Sequence, residues 1–449
     1  MKWTCDVTQT ALLSPVPGAV IERRRGECPT LRAPMQTGDG LLARLRPVGG
    51  AVTPEQLAGI AGLAGRYGNG LVEVTARGNL QVRGLRAESV PDFANAVEDV
   101  VAIETGIPIE IGPLSRLDPE ERADAVAMAA TVRQRSAGLQ ARLGPKVTVV
   151  IDSAGGSGLA ALAADVRLMA IDRDHWRIGL AKTSLGVVAT EDAAEAVTAL
   201  LALIAEHGRL ARGRMLPVEE AQRAVAGMMR ANDGFVAGTA LPQTITALSD
   251  GRCAARVTLS FGAADGGAVA RLAEVARARG IDEFRLAPDH ALIALAADKA
   301  AAREFLTDAA GLGFITDERD ARLKISACIG SEGCASGRVP ARAIAGRLAA
   351  REPEFFDGSF ELHVSGCPKG CAHPRAALLT LVGGEAGCGL VIGATAGDKP
   401  LAQFGADGIE PAMMRLAALW RDNRALGETV AACFKRLGDA AIAAAVRQG

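Results

Sequence analysis

Apolar and polar residues alternate from Leu41 to Arg46, and the same period of two returns from Leu71 to Thr75 and from Leu80 to Gly84, around the turn Arg77-Gly78-Asn79. This pattern predicts three strands. Between the first two, Thr53-Pro54-Glu55-Gln56 has the form of a helix start, followed by an apolar helical period to about Tyr67. Side chains alternate across a strand, so Val72, Val74, Leu80 and Val82 are expected on one apolar face. Thr75, Arg77, Gln81 and Arg83 share the opposite face, which is polar and cationic. Asp118 to about Leu143 reads as helix and Lys146 to Asp152 as an apolar strand, and strand and helix alternate to about Arg214.

The opening order then returns. A strand from Ala255 to Ser260, a helix from Ala268 to Arg279, and strands from Phe284 to Ala287 and Ala291 to Leu295 repeat it. A shift of 212 positions lays Val72 on Phe284, Val74 on Leu286 and Leu80 on Leu292, and also carries Ser153-Ala154-Gly155 onto Ser365-Gly366-Cys367. One offset serving both segments predicts a duplicated two-domain unit with pseudo-two-fold symmetry. The copies differ where chemistry would sit. Thr75, Arg77, Gln81 and Arg83 correspond to Ala287, Asp289, Ile293 and Leu295, whereas Cys367 and Cys371 stand where the first copy has Gly155 and Leu159. One copy is expected to supply cationic ligand contacts and the other the metal.

Length and composition narrow the function. A chain of 449 residues suggests two to four domains, and Lys+Arg 50 against Asp+Glu 51 leaves no net charge to draw it to nucleic acid or to a membrane surface. Aromatics at 3% are too few for a base-stacking platform. The longest apolar run, Ala194 to Glu206, is short for a membrane span, and Met1-Lys2-Trp3-Thr4-Cys5-Asp6 opens no apolar secretory region, so a cytoplasmic location is expected.

Four of the nine cysteines fall in two groups, Cys328-Ile329-Gly330-Ser331-Glu332-Gly333-Cys334 and Cys367-Pro368-Lys369-Gly370-Cys371. Thiolates bind soft metals, and four of them can enclose one 4Fe-4S cluster if glycine-rich loops bring both pairs to one point. A zinc ribbon would space its thiolates two to four residues apart, whereas these gaps are five and three. His363 and His373 flank the second pair; His363, within a strand, reads as a packed core residue, and His373, in a loop beside Cys371, as the better catalytic candidate. Lys146 reads either as a solvated strand end or as a cation facing the site. The turn Gly156-Ser157-Gly158 has the look of a dinucleotide fingerprint, but the repeat makes it the counterpart of the cysteine turn, so electrons are expected from an external donor protein. Arg23-Arg24-Arg25 is a solvated run or a carboxylate contact.

These residues resemble the sulfite and nitrite reductases that hold sirohaem beside a 4Fe-4S cluster. The points of likeness are the two cysteine pairs, the duplicated order, and Thr75-x-Arg77 followed by Gln81-x-Arg83. The resemblance spans nearly the whole chain. It implies an α/β (α+β) fold with a first ferredoxin-like domain at 1–115, a cluster-type domain without cysteine ligands at 116–245, a second ferredoxin-like domain at 246–318 and a 4Fe-4S domain at 319–449. It also implies Cys328, Cys334, Cys367 and Cys371 as cluster ligands, and Thr75, Arg77, Gln81, Arg83 and Lys146 as tetrapyrrole contacts.

The reductases carry a further arginine where this chain has Ile107-Pro108-Ile109-Glu110, and a second lysine where it has Gly144, which weakens the case for small-anion reduction. Within the family, Arg25-Gly26-Glu27-Cys28-Pro29, Met35-Gln36-Thr37-Gly38-Asp39-Gly40-Leu41-Leu42 and the run from His363 to Pro374 are most similar to the branch that acts on precorrin-3A in aerobic cobalamin biosynthesis. That likeness implies an oxidoreductase (a monooxygenase) that hydroxylates precorrin-3A with dioxygen and closes a lactone, with a mononuclear non-haem iron beside the cluster. Two alternatives stand: a sirohaem-dependent sulfite or nitrite reductase, and a non-catalytic tetrapyrrole-binding iron-sulfur protein.

Overall fold

The computed structural model describes residues 28–156, 159–230 and 244–447. Arg23-Arg24-Arg25 and the Ser157-Gly158 part of the glycine-rich turn lie outside them. The described residues form four sheets, two of five antiparallel strands and two of mixed direction.

The first sheet runs in the order Met35–Thr37, Gly40–Leu45, Leu80–Leu85, Leu71–Val74, Ala263–Asp265. Its apolar face is the expected one: Val72, Val74, Leu80 and Val82 are at most 1% exposed and pack in one core with the helices Pro54–Tyr67 and Val90–Val100. The first of these helices starts where its sequence requires. Thr53 accepts from the amide of Gln56, Gln56 bonds back to the amide of Thr53, and Pro54 fills the first turn, where no amide is needed.

The third sheet in chain order repeats the arrangement with Ile245–Ala247, Cys253–Thr258, Ala291–Ala296, Phe284–Ala287 and Ala51–Val52. The last strand of each sheet comes from the other copy. Ala263 pairs with Glu73 and Ala264 with Val72, while Ala51 pairs with Arg285 and Val52 with Phe284, so each pair maps onto the other under the same 212-residue shift. The helices that follow the exchanged strands, Pro54–Tyr67 and Gly266–Ala278, pack on one another along the pseudo-two-fold axis. Gly266 allows the close approach: a Cβ there would lie 3.0 Å from the carbonyl oxygens of Ala61 and Gly70.

The other two sheets share a second plan. Ile109–Ile111, Val149–Asp152 and Val166–Ala170 are parallel neighbours, and His175–Leu180, Thr183–Ala189 and Met229–Arg230 continue antiparallel. Ile325–Ala327, Leu362–Ser365 and Ala377–Gly384 are parallel, with Gly387–Ala394 and Ala402–Phe404 antiparallel. The central strands run apolar and buried on both faces, as Val149, Val150 and Ile151 do at 0% exposure. In the cysteine-bearing domain Phe355 meets Phe356, Phe360, Trp420 and Phe434, so the scarce aromatics concentrate beneath one sheet.

Three expected boundaries shift. The helix expected from Asp118 spans Ala125–Ser136, because Asp124 caps it by accepting from the amide of Ala127 while Asp118 is spent on a turn with Glu120. The strand expected from Lys146 begins at Val149, after Gly144-Pro145. The strand expected to reach Ser260 ends at Thr258, where the chain turns through Phe261 at φ 55°.

Candidate cluster and tetrapyrrole site

The two cysteine groups meet because their strands are parallel neighbours. Ile325–Ala327 and Leu362–Ser365 pair in register, Ala327 opposite Val364, so both chains leave the sheet at the same edge, one into Cys328 and the other into Gly366-Cys367. Glycine makes the loops fit. A Cβ on Gly366 would lie 2.8 Å from the Cα of Gly330, and Gly330 and Gly370 turn at φ 66° and 62°. The amide of Gly366 donates to the Cys328 sulfur at 3.1 Å. Burial pushes the Cys371 thiol up, and the proximity of Cys367, Cys328 and Cys334 pushes it further.

These features fit a 4Fe-4S cluster: Cys371 within electrostatic reach of the other three sulfurs, the Gly366 amide aimed at sulfur, and backbone too tightly packed for side chains. They do not fit a single ion. Among the described residues no three His, Cys, Asp or Glu side chains gather at the spacing one metal ion needs.

The cationic sheet face lies against these loops. The hairpin between Met35–Thr37 and Gly40–Leu45 touches the first loop, where Ala335 donates to the carbonyl of Gly38 at 3.0 Å and a Cβ on Gly38 would stand 2.5 Å from the Cys334 sulfur. Next to it, Arg83 holds Asp39 through two bonds, Nε at 2.9 Å and Nη2 at 2.8 Å, and lies 3.6 Å from Glu73. Glu73 in turn binds Arg342, from the helix Ala341–Arg351 of the cysteine-bearing domain, at 2.7 Å. Burial lowers the Arg83 pKa, but Asp39 and Glu73 outweigh it and hold the guanidinium firmly charged. Two guanidiniums and two carboxylates make this group neutral.

A second group of cations is different. Arg44 donates to the Gln81 side chain at 3.0 and 2.9 Å, Arg77 reaches the carbonyl of Ala163, and Arg167 binds the carbonyls of Leu159 and Leu162. Among the described residues none of the three makes an ion pair, and Arg77 Nη1 is buried without a partner. Burial lowers the pKa of Arg44 and of Arg167 and the charge of Arg77 adds to that, outweighing the opposing pull of Cys28 and Glu110 on Arg44 and of Asp152 on Arg167. Glu110 lies within reach of Arg77, but burial pushes its own carboxyl up. This is a set of partly buried guanidiniums whose negative neighbours do not reach direct contact.

The expected residues therefore divide. Arg77 is an available cation. Arg83 is already paired with Asp39. Thr75 is a turn residue, its hydroxyl accepting from the amides of Arg77 and Asn79 at 3.3 and 3.0 Å. Gln81 is buried and orients Arg44 while donating to Glu73 at 3.1 Å. Lys146 is exposed ahead of its strand and is not drawn into either group. His373 lies 3.4 Å from Glu361, with its ring 5.6 Å from that of His363. His363 is 0% exposed, neither ring nitrogen has a partner, and burial together with His373 pushes its pKa down to about 4.

Sequence reasoning missed Asp39, Arg44, Glu73, Arg167 and Arg342. Arg44 carried a signal, since it projects to the same side as Gln81 across the paired strands. Arg167 and Arg342 carried none, being brought in from other domains. The equivalent face of the second copy is apolar as expected: Ala287, Ile293 and Leu295 are buried against Leu114 and Leu248.

The model of the nitrite/sulfite reductase ferredoxin-like half domain matches residues 33–100. A precorrin-3B synthase from Sinorhizobium sp is 40% identical over 447 residues, covering 96% of each chain. The chain belongs to the precorrin-3B synthase family. Among solved structures, the NirA protein of Mycobacterium tuberculosis matches with a TM-score of 0.69 at 18% identity, covering 90% of this chain and 84% of that one, and so shares the fold. In this precorrin-3B synthase family member, the unpaired arginines and the cysteine loops belong to one region built by three domains.

Proposed function

We propose that the chain catalyses the oxygen-dependent conversion of precorrin-3A to precorrin-3B, hydroxylating the methylated meso carbon while a ring-A acetate closes a lactone. One oxygen atom of O2 enters the macrocycle and the other leaves as water, which requires two electrons and two protons. The observation that carries this reading is the set Arg44, Arg77 and Arg167, partly buried cations that, among the described residues, make no direct ion pair with a carboxylate, on the face that adjoins the cysteine loops. A flexible polycarboxylate macrocycle supplies the charge they lack, and guanidinium binds carboxylate with two parallel bonds.

Cys328, Cys334, Cys367 and Cys371 would hold a 4Fe-4S cluster, which when bound passes electrons singly from an external donor protein. A cavity of about 1110 Å3, lined by Arg338, Cys367, Lys369 and Glu385, opens at the cluster loop and gives such a donor an approach. Arg77 would grip a substrate carboxylate through its free Nη1, with Gln81 holding Arg44 in position beside it. His373, oriented by Glu361, is the group placed to hold or move a proton near Cys371. The mononuclear iron implied by the family has no closed ligand set among the described residues, and no role is assigned to it.

The test is anaerobic purification with iron, acid-labile sulfide and bound pigment quantified, followed by incubation with precorrin-3A, O2 and a reductant. A cluster without sirohaem, and lactone product formed only with O2 and reductant, is expected. Stoichiometric sirohaem, or unchanged precorrin-3A, would overturn the assignment.

A further inference from the structure

Asp39 is held as a bound anion would be held. Its carboxylate takes two bonds from Arg83 at 2.9 and 2.8 Å, lies 2.6 Å from the Thr37 hydroxyl, and accepts from the Asn69 amide at 3.1 Å. The side chain is 7% exposed. Four donors converging on one planar, singly charged group is what a small-oxyanion site looks like when full. Burial alone would raise the carboxyl pKa, but the bonds from Arg83 and Thr37 outweigh it and hold it ionised.

The seat adjoins the cluster loop. The preceding residue, Gly38, contacts Cys334; a Cβ on Gly333 of that loop would lie 3.9 Å from Asp39 Oδ2; and Arg83 is within electrostatic reach of Cys334. With Glu73 shared between Arg83 and Arg342, the group carries no net charge and offers no unsatisfied cation to an incoming anion.

We propose that Asp39 is a built-in anion that fills, beside the cysteine loops, the place a small oxyanion would occupy, and so makes this residue a determinant of selectivity against nitrite- and sulfite-like ligands. Removing the carboxylate leaves Arg83 still aimed by Glu73, with Asn69 as a free donor and the Thr37 hydroxyl shared with the Gly40 carbonyl, around the space the carboxylate filled. The group, neutral in the wild type, is then left with an excess of positive charge.

The experiment needs no turnover, so it separates from the proposed reaction: a chain inactive on precorrin-3A could still pass it, and an active one could still fail. Formate, nitrite and sulfite are titrated into anaerobically purified wild type, Asp39→Ala and Asp39→Asn at constant ionic strength in chloride, following the thermal midpoint and heat of binding. The wild type is expected to show no saturable effect. The Asp39→Ala protein is expected to have a lower midpoint that formate and nitrite restore saturably, binding about tenfold or more tighter than to the wild type, as a bidentate charge-assisted site implies. Equal binding to wild type and Asp39→Ala, or a folded Asp39→Ala protein indifferent to these anions, overturns the proposal. The Asp39→Asn carboxamide keeps the seat filled and is expected to bind none of the anions; where Asp39→Ala is insoluble, Asp39→Gly, which also vacates the seat, gives the same readout as Ala. Where the Ala and Gly variants are both insoluble, recovery of soluble protein by formate in the growth or refolding buffer supports the proposal, and failure of formate to raise that yield overturns it.

Discussion

Arg77 Nη1 is a buried donor with nothing to bond to, a condition that costs about 1–3 kcal/mol unless a ligand relieves it. Replacing Arg77 by Ala should therefore cost the apoprotein little and weaken precorrin-3A binding at least tenfold, an effect on the order of 1.4 kcal/mol, with the cluster absorbance unchanged. Titrating substrate while recording the visible spectrum reads both outcomes, and loss of the cluster in this variant would mean the arginine is structural. Arg44→Met should likewise weaken substrate binding, and should lower the unfolding midpoint, because the buried Gln81 side-chain oxygen loses both of its donors. His363 makes a prediction in pH. The unfolded chain takes up this proton near 6.5, but the folded chain resists until about 4, since burial and His373 disfavour the imidazolium. Stability contributed by the neutral ring is present above 6.5 and is lost as pH falls through that window. Urea midpoints above and within the window should fall for the wild type and fall less for His363→Phe.

At the scale of the element, the hairpin that carries Gly38 and Asp39 is the joint between the arginine strands and the cluster loop. A methyl group on Gly38 would overlap the Cys334 sulfur, so Gly38→Ala should lower cluster occupancy while leaving the sheet intact, measurable as reduced acid-labile sulfide with unchanged far-ultraviolet dichroism. The neutral control is Gly62→Ala, where a Cβ meets nothing within 4 Å. The strands that frame this joint were legible in the sequence because their period of two was long enough to read, as was the helix start at Thr53, whose cap is local. The pairing of Arg83 was not legible: its partner Asp39 lies in another strand's turn, and strand alternation says which way a guanidinium points but not what it meets there. The same limit hid the local bonds of this polar face, where Thr75 shapes a turn and Gln81 braces Arg44. The exchanged strands Ala51–Val52 and Ala263–Asp265 were illegible for want of length, since two or three residues carry no period.

Those short strands decide how the whole molecule behaves. Each ferredoxin-like sheet is completed by the other copy, the helices Pro54–Tyr67 and Gly266–Ala278 bury one continuous core between them, and the outer face of the second sheet is covered by Leu114 and Leu117 from the first half. The duplication visible as a 212-residue repeat is thus not two modules joined by a tether. The cation-bearing copy and the cysteine-bearing copy are locked together, which fixes Arg83 and Gly38 beside Cys334. It follows that residues 244–447 expressed alone, although they contain all four ligand cysteines, should expose Ile293 and Leu295 along with the bare edge of Phe284–Ala287. Such a fragment should aggregate or bind a hydrophobic dye, and should load less cluster than the full chain. Co-expression with residues 28–230 should restore solubility and iron content together, because the exchanged strands pair without a covalent link. A soluble fragment that binds a full cluster without its partner would show that the exchange is dispensable, and that the site is assembled by the cysteine-bearing domain alone.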